Sequence, residues 1–162
     1  MTFHRPPVNK TALVQKIIAQ LTAELEASIQ SARAAHAEAT DEQSKAENKY
    51  DTRGLEASYL AKGQSRQAAE TRDAIAQFSS MDLWGFKETH AIDLGALVEL
   101  ETKTGRMLYF LGPRAGGTEV VMEGKEVWVI TPQSPLGQQL LGKKQGDQIA
   151  GRNGPSRIVS VS

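Results

Sequence analysis

The distribution of helix-breaking residues divides this chain before any other feature does. Of its 14 glycines only Gly54 and Gly63 precede residue 80, and no proline occurs between Pro7 and Pro113. Inside a helix glycine and proline cost about 1 and 3 kcal/mol relative to alanine. An alanine-rich stretch nearly free of both is therefore helical, and the glycine-rich remainder is a turn-rich β segment. The expected organisation is a helical domain over 1–80, a linker over 81–92 and a β domain over 93–162, an α+β protein.

Within the first part, Val14, Ile18, Leu21, Leu25, Ser28, Ala32, Ala35 and Ala39 alternate steps of four and three, the spacing of a heptad seam. Asn9 or Thr11 can cap the start, and a helix from there to the low forties is roughly 45 to 50 Å long. A second seam, Ala57, Ala61, Gln64, Ala68, Thr71, Ile75 and Phe78, follows the interruption at Gly54. Two narrow apolar stripes bury one another only if the chain folds back, so the expected unit is an antiparallel coiled-coil hairpin. With Val14 opposite Phe78, its reversal falls near residue 46. The seam thins from Val, Ile and Leu to Ala toward that tip, which packs it less firmly than the base.

Acid is concentrated around the reversal: Glu38, Asp41, Glu42, Glu47, Asp51 and Glu56 stand against Lys45, Lys49 and Arg53 in a chain of net charge zero. In an arbitrary coiled coil such a run is a solvated face. A narrow hairpin encloses no substrate, so any chemistry by these carboxylates takes place inside a partner.

The linker SSMDLWGFKETHAID carries Trp84 and Phe86, which are expected to plug the junction of the two parts. From Gly95 onward the pattern has period two. Val98, Leu100 and Thr102 alternate with Glu99 and Glu101, a turn follows at Thr104-Gly105, and a strand runs from Met107 to Leu111. Glu119 to Met122 and Val127 to Ile130 pair through Gly124-Lys125. Asn153-Gly154 joins Gln148–Ala150 to Ile158–Val161. The expected result is a small antiparallel sheet containing one short helix, Leu136 to Leu141, with Ser134 as N-cap, Pro135 in the first turn and Gly142 as terminator.

Composition removes several classes. There are no cysteines, which excludes disulfides, thiolate metal sites and cysteine nucleophiles. His4, His36 and His90 lack metal-binding spacing. Basic and acidic residues number 19 each, without the basic excess of a nucleic-acid binder, so sequence-specific DNA binding is not expected. No window approaches the roughly 18 apolar residues of a membrane span, and MTFHRPPVNK is not a secretory signal. A cytoplasmic protein without a membrane role is the expectation. The run GQQLLGKK has the glycines of a phosphate loop, but Lys144 occupies the position of the magnesium-holding hydroxyl.

Ser134-Pro135-Leu136-Gly137, then Leu140-Leu141-Gly142-Lys143 and Gly146-Asp147 before a strand, behind a helical hairpin and linker, resembles the Gre family of bacterial transcript cleavage factors over nearly the whole chain. The resemblance implies that the C-terminal part has the fold of FK506-binding proteins (FKBP-like) and docks on RNA polymerase through Ser134, Pro135, Leu136, Gly137 and Lys143. It also implies that the coiled-coil tip enters the polymerase secondary channel. There Asp51 and Glu56, with Asp41, Glu42 and Glu47 as further apical candidates, would help hold a Mg2+ ion of the polymerase active site. Two-metal hydrolysis needs such an ion, which retains waters and accepts one or two carboxylates. The isolated protein would bind no metal of its own, would act as a cofactor of the polymerase's hydrolysis rather than as an enzyme, and would meet the nascent RNA 3′ end only indirectly.

The family tip has Glu three residues after Asp, whereas Asp51 and Glu56 are five apart with Gly54 between them. Two roles stay open: stimulation of cleavage of backtracked RNA, or channel occupancy without cleavage, as an antagonist of Gre factors. A third reading, prolyl isomerisation by the FKBP-like part, needs an aromatic pocket, and the candidates are only Trp84, Phe86, Tyr109, Phe110 and Trp128. The alanine-rich distal seam buries little apolar area, so the expected state is a monomer rather than a coiled-coil dimer.

Overall fold

The structure, a computed structural model, describes residues 8–39, 60–151 and 154–162. Helix α1 spans Lys10–Ala39 and α2 spans Lys62–Ser79. Asn9 caps α1: its Oδ1 accepts from the Ala12 N–H at 3.1 Å, and its carbonyl accepts from the Leu13 N–H at 2.9 Å. At α2 the Gln64 side chain reaches back to accept from the Ala61 N–H at 3.1 Å, half of a capping box. Gln64 was expected on the seam; it is exposed and serves the helix end instead.

Two compact units emerge. One comprises Met1–Ile18 with Ala76–Ser162, the other Ala19–Ile75. Both helices begin or end in the first unit and run through the second, so they are antiparallel. In the second unit Ala32, Leu60 and Ala68 form a small apolar cluster joined by Leu25. The buried residues of α1 are Leu13, Val14, Ile17, Leu21, Ile29 and Ala32, while Ser28 and Ala35 of the expected seam are exposed. The stripe thus steps 4-4-3 beyond Leu21, closer to the repeat of a straight helix than to a strict heptad. At the base it widens to take in Leu13 and Ile17, both fully buried.

The first unit holds a six-stranded sheet of order β3-β4-β2-β1-β6-β5: β1 Leu97–Thr102, β2 Gly105–Leu111, β3 Glu119–Met122, β4 Lys125–Ile130, β5 Gln148–Gly151 and β6 Gly154–Val161. The expectation of a purely antiparallel sheet fails at one pair. Strands β2 and β4 are parallel, with Leu108 beside Val127 and Phe110 beside Val129, so the sheet is mixed. The cause is the connection Gly112–Thr118, which carries β3 out to the edge and lets β4 return alongside β2. Period two identifies a strand but not its neighbour.

Each hairpin reverses one residue earlier than the turn signals indicate. Thr102 pairs with Gly105, Met122 with Lys125 and Gly151 with Gly154. Between Met122 and Lys125, Glu123 and Gly124 both have positive φ, as a two-residue primed turn requires.

One sheet face carries Val98, Leu100, Leu111, Ile130, Ile149, Ile158 and Val161, packed with Leu140 of the short helix α3 (Pro135–Leu140). Phe86 and Ile92 of the expected linker belong to this same core. Trp84 is exposed and stacks on Phe86 at 3.7 Å. By strand alternation the opposite face presents Leu97, Phe110, Val127 and Val129, all buried. Phe78, at the end of α2, lies here. A Cβ added to Gly112 would stand 2.9 Å from Phe78 Cζ and 3.1 Å from Val129 Cγ1, so the absent side chain of Gly112 is what admits the ring.

The start of α1 is pinned by Lys10. Its Nζ donates to the carbonyls of Trp84 (2.5 Å), Gly95 (2.8 Å) and Ser162 (3.1 Å), and lies 4.8 Å from the centre of the Phe86 ring. Lys16 Nζ donates to the Val121 carbonyl of edge strand β3. Burial lowers the Lys10 pKa from 10.5 to about 8. Between these values the unfolded chain binds more protons at this site than the folded chain, so stability rises with pH. Melting temperatures of wild type and Lys10→Met across pH 7 to 10 check this. The difference is expected to stay flat below pH 8 and then to move in favour of wild type, by an amount reduced by solvent because the group is half-exposed.

Candidate functional site

The segment Thr131-Pro132-Gln133-Ser134-Pro135 leads from β4 into α3. Ser134 Oγ donates to the Thr131 carbonyl at 2.8 Å and accepts from the Gly137 N–H at 3.0 Å, which fixes the turn and caps the helix together. Pro135 occupies the first helical turn, where its missing N–H costs nothing. Gly137 is buried against the preceding loop: a Cβ there would fall 1.8 Å from the Thr131 carbonyl oxygen. Leu140 is fully buried, and Leu136 packs partly against the core.

Past α3 the chain is held by main-chain bonds to the segment before β1. The Gly142 N–H donates to the Ile92 carbonyl at 3.0 Å, and the Ile92 N–H to the Lys143 carbonyl at 2.7 Å. Asp147 Oδ2 accepts from the Lys144 N–H at 2.9 Å, closing the turn before β5.

Of the residues expected to dock a partner, Ser134 and Gly137 thus have their functional groups turned to the fold itself. Pro135 and Lys143 are exposed, and Leu136 is partly so; Leu141 and Lys144 join them on the exposed surface. The exposed side chains of this segment thus include Pro135, Leu141 and two lysines, while Leu136 also packs on the core. Asp41, Glu42, Glu47, Asp51 and Glu56 lie outside the described residues. Among the described residues no three His, Asp or Glu gather as a metal site, and no helix is long and apolar enough to cross a membrane.

Beside α3 lies a feature that the periodicity does not announce, a cavity of about 460 Å³. Leu100, Met107, Tyr109, Ile130, Leu136 and Ile149 form its apolar walls. Among the described residues Tyr109 is the one aromatic of its lining. Phe86 is committed to the core and Phe110 to the opposite face. Burial pushes the Tyr109 phenol above its usual pKa, and its O–H donates to Met107 Sδ at 3.5 Å.

The molecule so defined is an α+β protein in which an antiparallel helix pair accompanies a mixed six-stranded sheet with a capped Ser-Pro-Leu-Gly helix. No protein-family model and no curated protein matches the chain. Solved structures similar to it are of Gfh1 and GreA/GreB transcription elongation factors. GreA factor homolog 1 (Gfh1) of Thermus thermophilus is 20% identical, covering 93% of both chains with a TM-score of 0.35. Thermus aquaticus Gfh1 is 22% identical over 93% of this chain and 92% of that one, with a TM-score of 0.34. The prokaryotic transcription elongation factor GreA/GreB from Nitrosomonas europaea is 22% identical over 57% of this chain and 78% of its own, with a TM-score of 0.34.

Proposed function

We propose that this protein is an RNA polymerase-binding transcription elongation factor of the Gre type. The observation that carries the reading is the segment from Ser134 to Asp147. It forms a capped helix and a turn in which Ser134 and Asp147 bond the chain itself, while Pro135, Leu141, Lys143 and Lys144 are exposed and Leu136 is partly so, an apolar and basic surface. That surface suits a protein partner better than a substrate. The motif sits behind an antiparallel helix pair, the order that the family resemblance implies.

In this reading the sheet unit docks on the polymerase and the acidic segment around Asp51 and Glu56 enters the secondary channel. There the carboxylates share a Mg2+ ion with the polymerase active site and stimulate hydrolysis of backtracked RNA. The second role, occupancy without cleavage, is favoured by the five-residue spacing of Asp51 and Glu56 with Gly54 between them. Chemistry by this chain alone forms no part of either.

The test is a cleavage assay on stalled, backtracked complexes, with Asp51→Asn plus Glu56→Gln and Asp41→Asn plus Glu42→Gln as variants. Wild type is expected to accelerate release of short 3′ RNA, and one double variant to lose about 10²-fold or more of that acceleration, the scale of a removed transition-state contact. Binding that displaces a cleavage factor without acceleration assigns the occupancy role. Absence of any binding to polymerase overturns both.

A further inference from the structure

The cavity beside α3 has a polar end that the fold leaves unused. Ser156, on β6, is 7% exposed and lines the cavity, yet its hydroxyl has no hydrogen-bond partner among the described residues. No buried side-chain polar atom among the described residues lacks a partner, so this hydroxyl opens to water in the cavity, where a ligand can take the water's place. Lys103, in the β1–β2 turn, lines the same cavity and has no ion-pair partner among the described residues. The two groups meet at the cross-strand pair Gly151 and Gly154, which also lines the cavity. A Cβ at Gly151 would stand 3.1 Å from Ser156 Oγ, and one at Gly154 would stand 3.5 Å from Lys103 Nζ. The Gly151 position is bounded by the Gly154 carbonyl oxygen, 2.6 Å from such a Cβ, and by the Ser156 hydroxyl, and the Gly154 position by the Lys103 stem, so a hydroxyl and an ammonium border this end of the cavity. The remaining hydroxyls have partners: Thr102 and Thr104 bond each other at 3.1 Å, and Ser134 serves as the helix cap.

From this end the cavity runs between Leu100, Tyr109, Ile130, Leu136 and Ile149, with no acidic side chain among the described lining residues. Its volume lies in the ordinary range for small-molecule sites, which are mostly apolar with a few placed polar groups. We infer that the cavity is a binding site for a small amphipathic carboxylate, whose apolar body fills the space under α3 and whose carboxylate accepts from Lys103 and Ser156 at the Gly151–Gly154 end. A neutral ligand would gain little from the exposed Lys103 ammonium. A dianion would find one cation among the described lining residues.

The experiment uses the full chain without polymerase, so its outcome is independent of the polymerase reading. Decanoate and decan-1-ol, both below their aggregation limits, are titrated while methyl resonances of Met107, Ile130, Leu136 and Ile149 are followed by NMR. Decanoate is expected to saturate these shifts and to bind roughly tenfold more tightly than decanol, the scale of one charge-assisted hydrogen bond. Lys103→Met, at an exposed turn, is expected to bring decanoate down to the decanol level while leaving decanol binding unchanged. Ser156→Ala should weaken decanoate by about threefold to tenfold. The inference is overturned by decanoate shifts that do not saturate, by equal binding of the two probes to wild type, or by a carboxylate preference that survives Lys103→Met.

Discussion

Replacing Phe78 by alanine is expected to lower the unfolding free energy by about 3–5 kcal/mol, a large share of a small protein's stability. The ring is 1% exposed and sits at the last turn of α2, against the glycine that makes room for it. Removing it leaves a cavity that the sheet cannot close, because Val129 and the backbone at Gly112 are fixed by the parallel β2–β4 pair and by the Gly112 N–H bond to the Ile130 carbonyl at 2.8 Å. For a chain of this length the loss corresponds to a fall in melting temperature of roughly 6–20 °C, read by circular dichroism. A double-mutant cycle gives the sharper check. Gly112→Ala alone should destabilise by about 1–3 kcal/mol, since its methyl meets the ring at 2.9 Å. In the Phe78→Ala background the same methyl enters vacated space, so the two losses should fall short of additivity by at least about 1 kcal/mol. Additive losses would mean that the ring and Gly112 are not in contact.

Gly137→Ala is the second substitution with a large expected effect, although it adds one methyl group. Its Cβ would fall 1.8 Å from the Thr131 oxygen and 2.9 Å from Ser134 Oγ, and the nearest obstacle is backbone rather than a yielding side chain. The first turn of α3 must then move, and with it the Ser134 cap. The loss is expected at about 2–4 kcal/mol, combining a broken cap with overpacking. Ser134→Ala, which removes only the cap, should cost about 1 kcal/mol. Because both act on the same turn, the double variant should be little worse than Gly137→Ala alone. Chemical denaturation of the three variants measures this, and a loss below that of Ser134→Ala would contradict the geometry.

Much of this architecture was legible in the residue order. Ser134 is identifiable as a cap, and the α1 cap narrows to Asn9 or Thr11, because a cap is a contact between residues two or three apart. The strands from Leu97 to Thr102 and from Glu119 to Met122 were legible through their period of two. The seam of α1 was read correctly at Val14, Leu21 and Ala32 and misread at Ser28 and Ala35. A heptad assumes one partner helix, whereas the base of α1 also buries Leu13 and Ile17. Glycine marks each turn to within one residue, since it need not lie inside the turn. Gly105 and Gly154 instead open the returning strands, with φ of 136° and 112°.

The site was legible only in part. Ser134 to Lys143 could be marked as a motif, but which of its side chains face outward could not. Ser134 and Gly137 point into their own turn, and that follows from where Thr131 lies in space. The cavity left no trace in the sequence. Lys103 and Ser156 are far apart along the chain and adjoin only because β6 pairs with β1 and β5.

By itself, the sequence determined the division into a helix pair and a sheet, the type of each element and the caps that bound them. These depend on interactions within a turn of helix or along one strand, where neighbours in sequence are neighbours in space. The tertiary structure alone decided the parallel β2–β4 pair, the place of Phe78 against Gly112, the three carbonyls gathered on Lys10 and the polar end of the cavity. Each of these joins residues whose separation along the chain imposes no local pattern, so only the packing of whole elements brings them together.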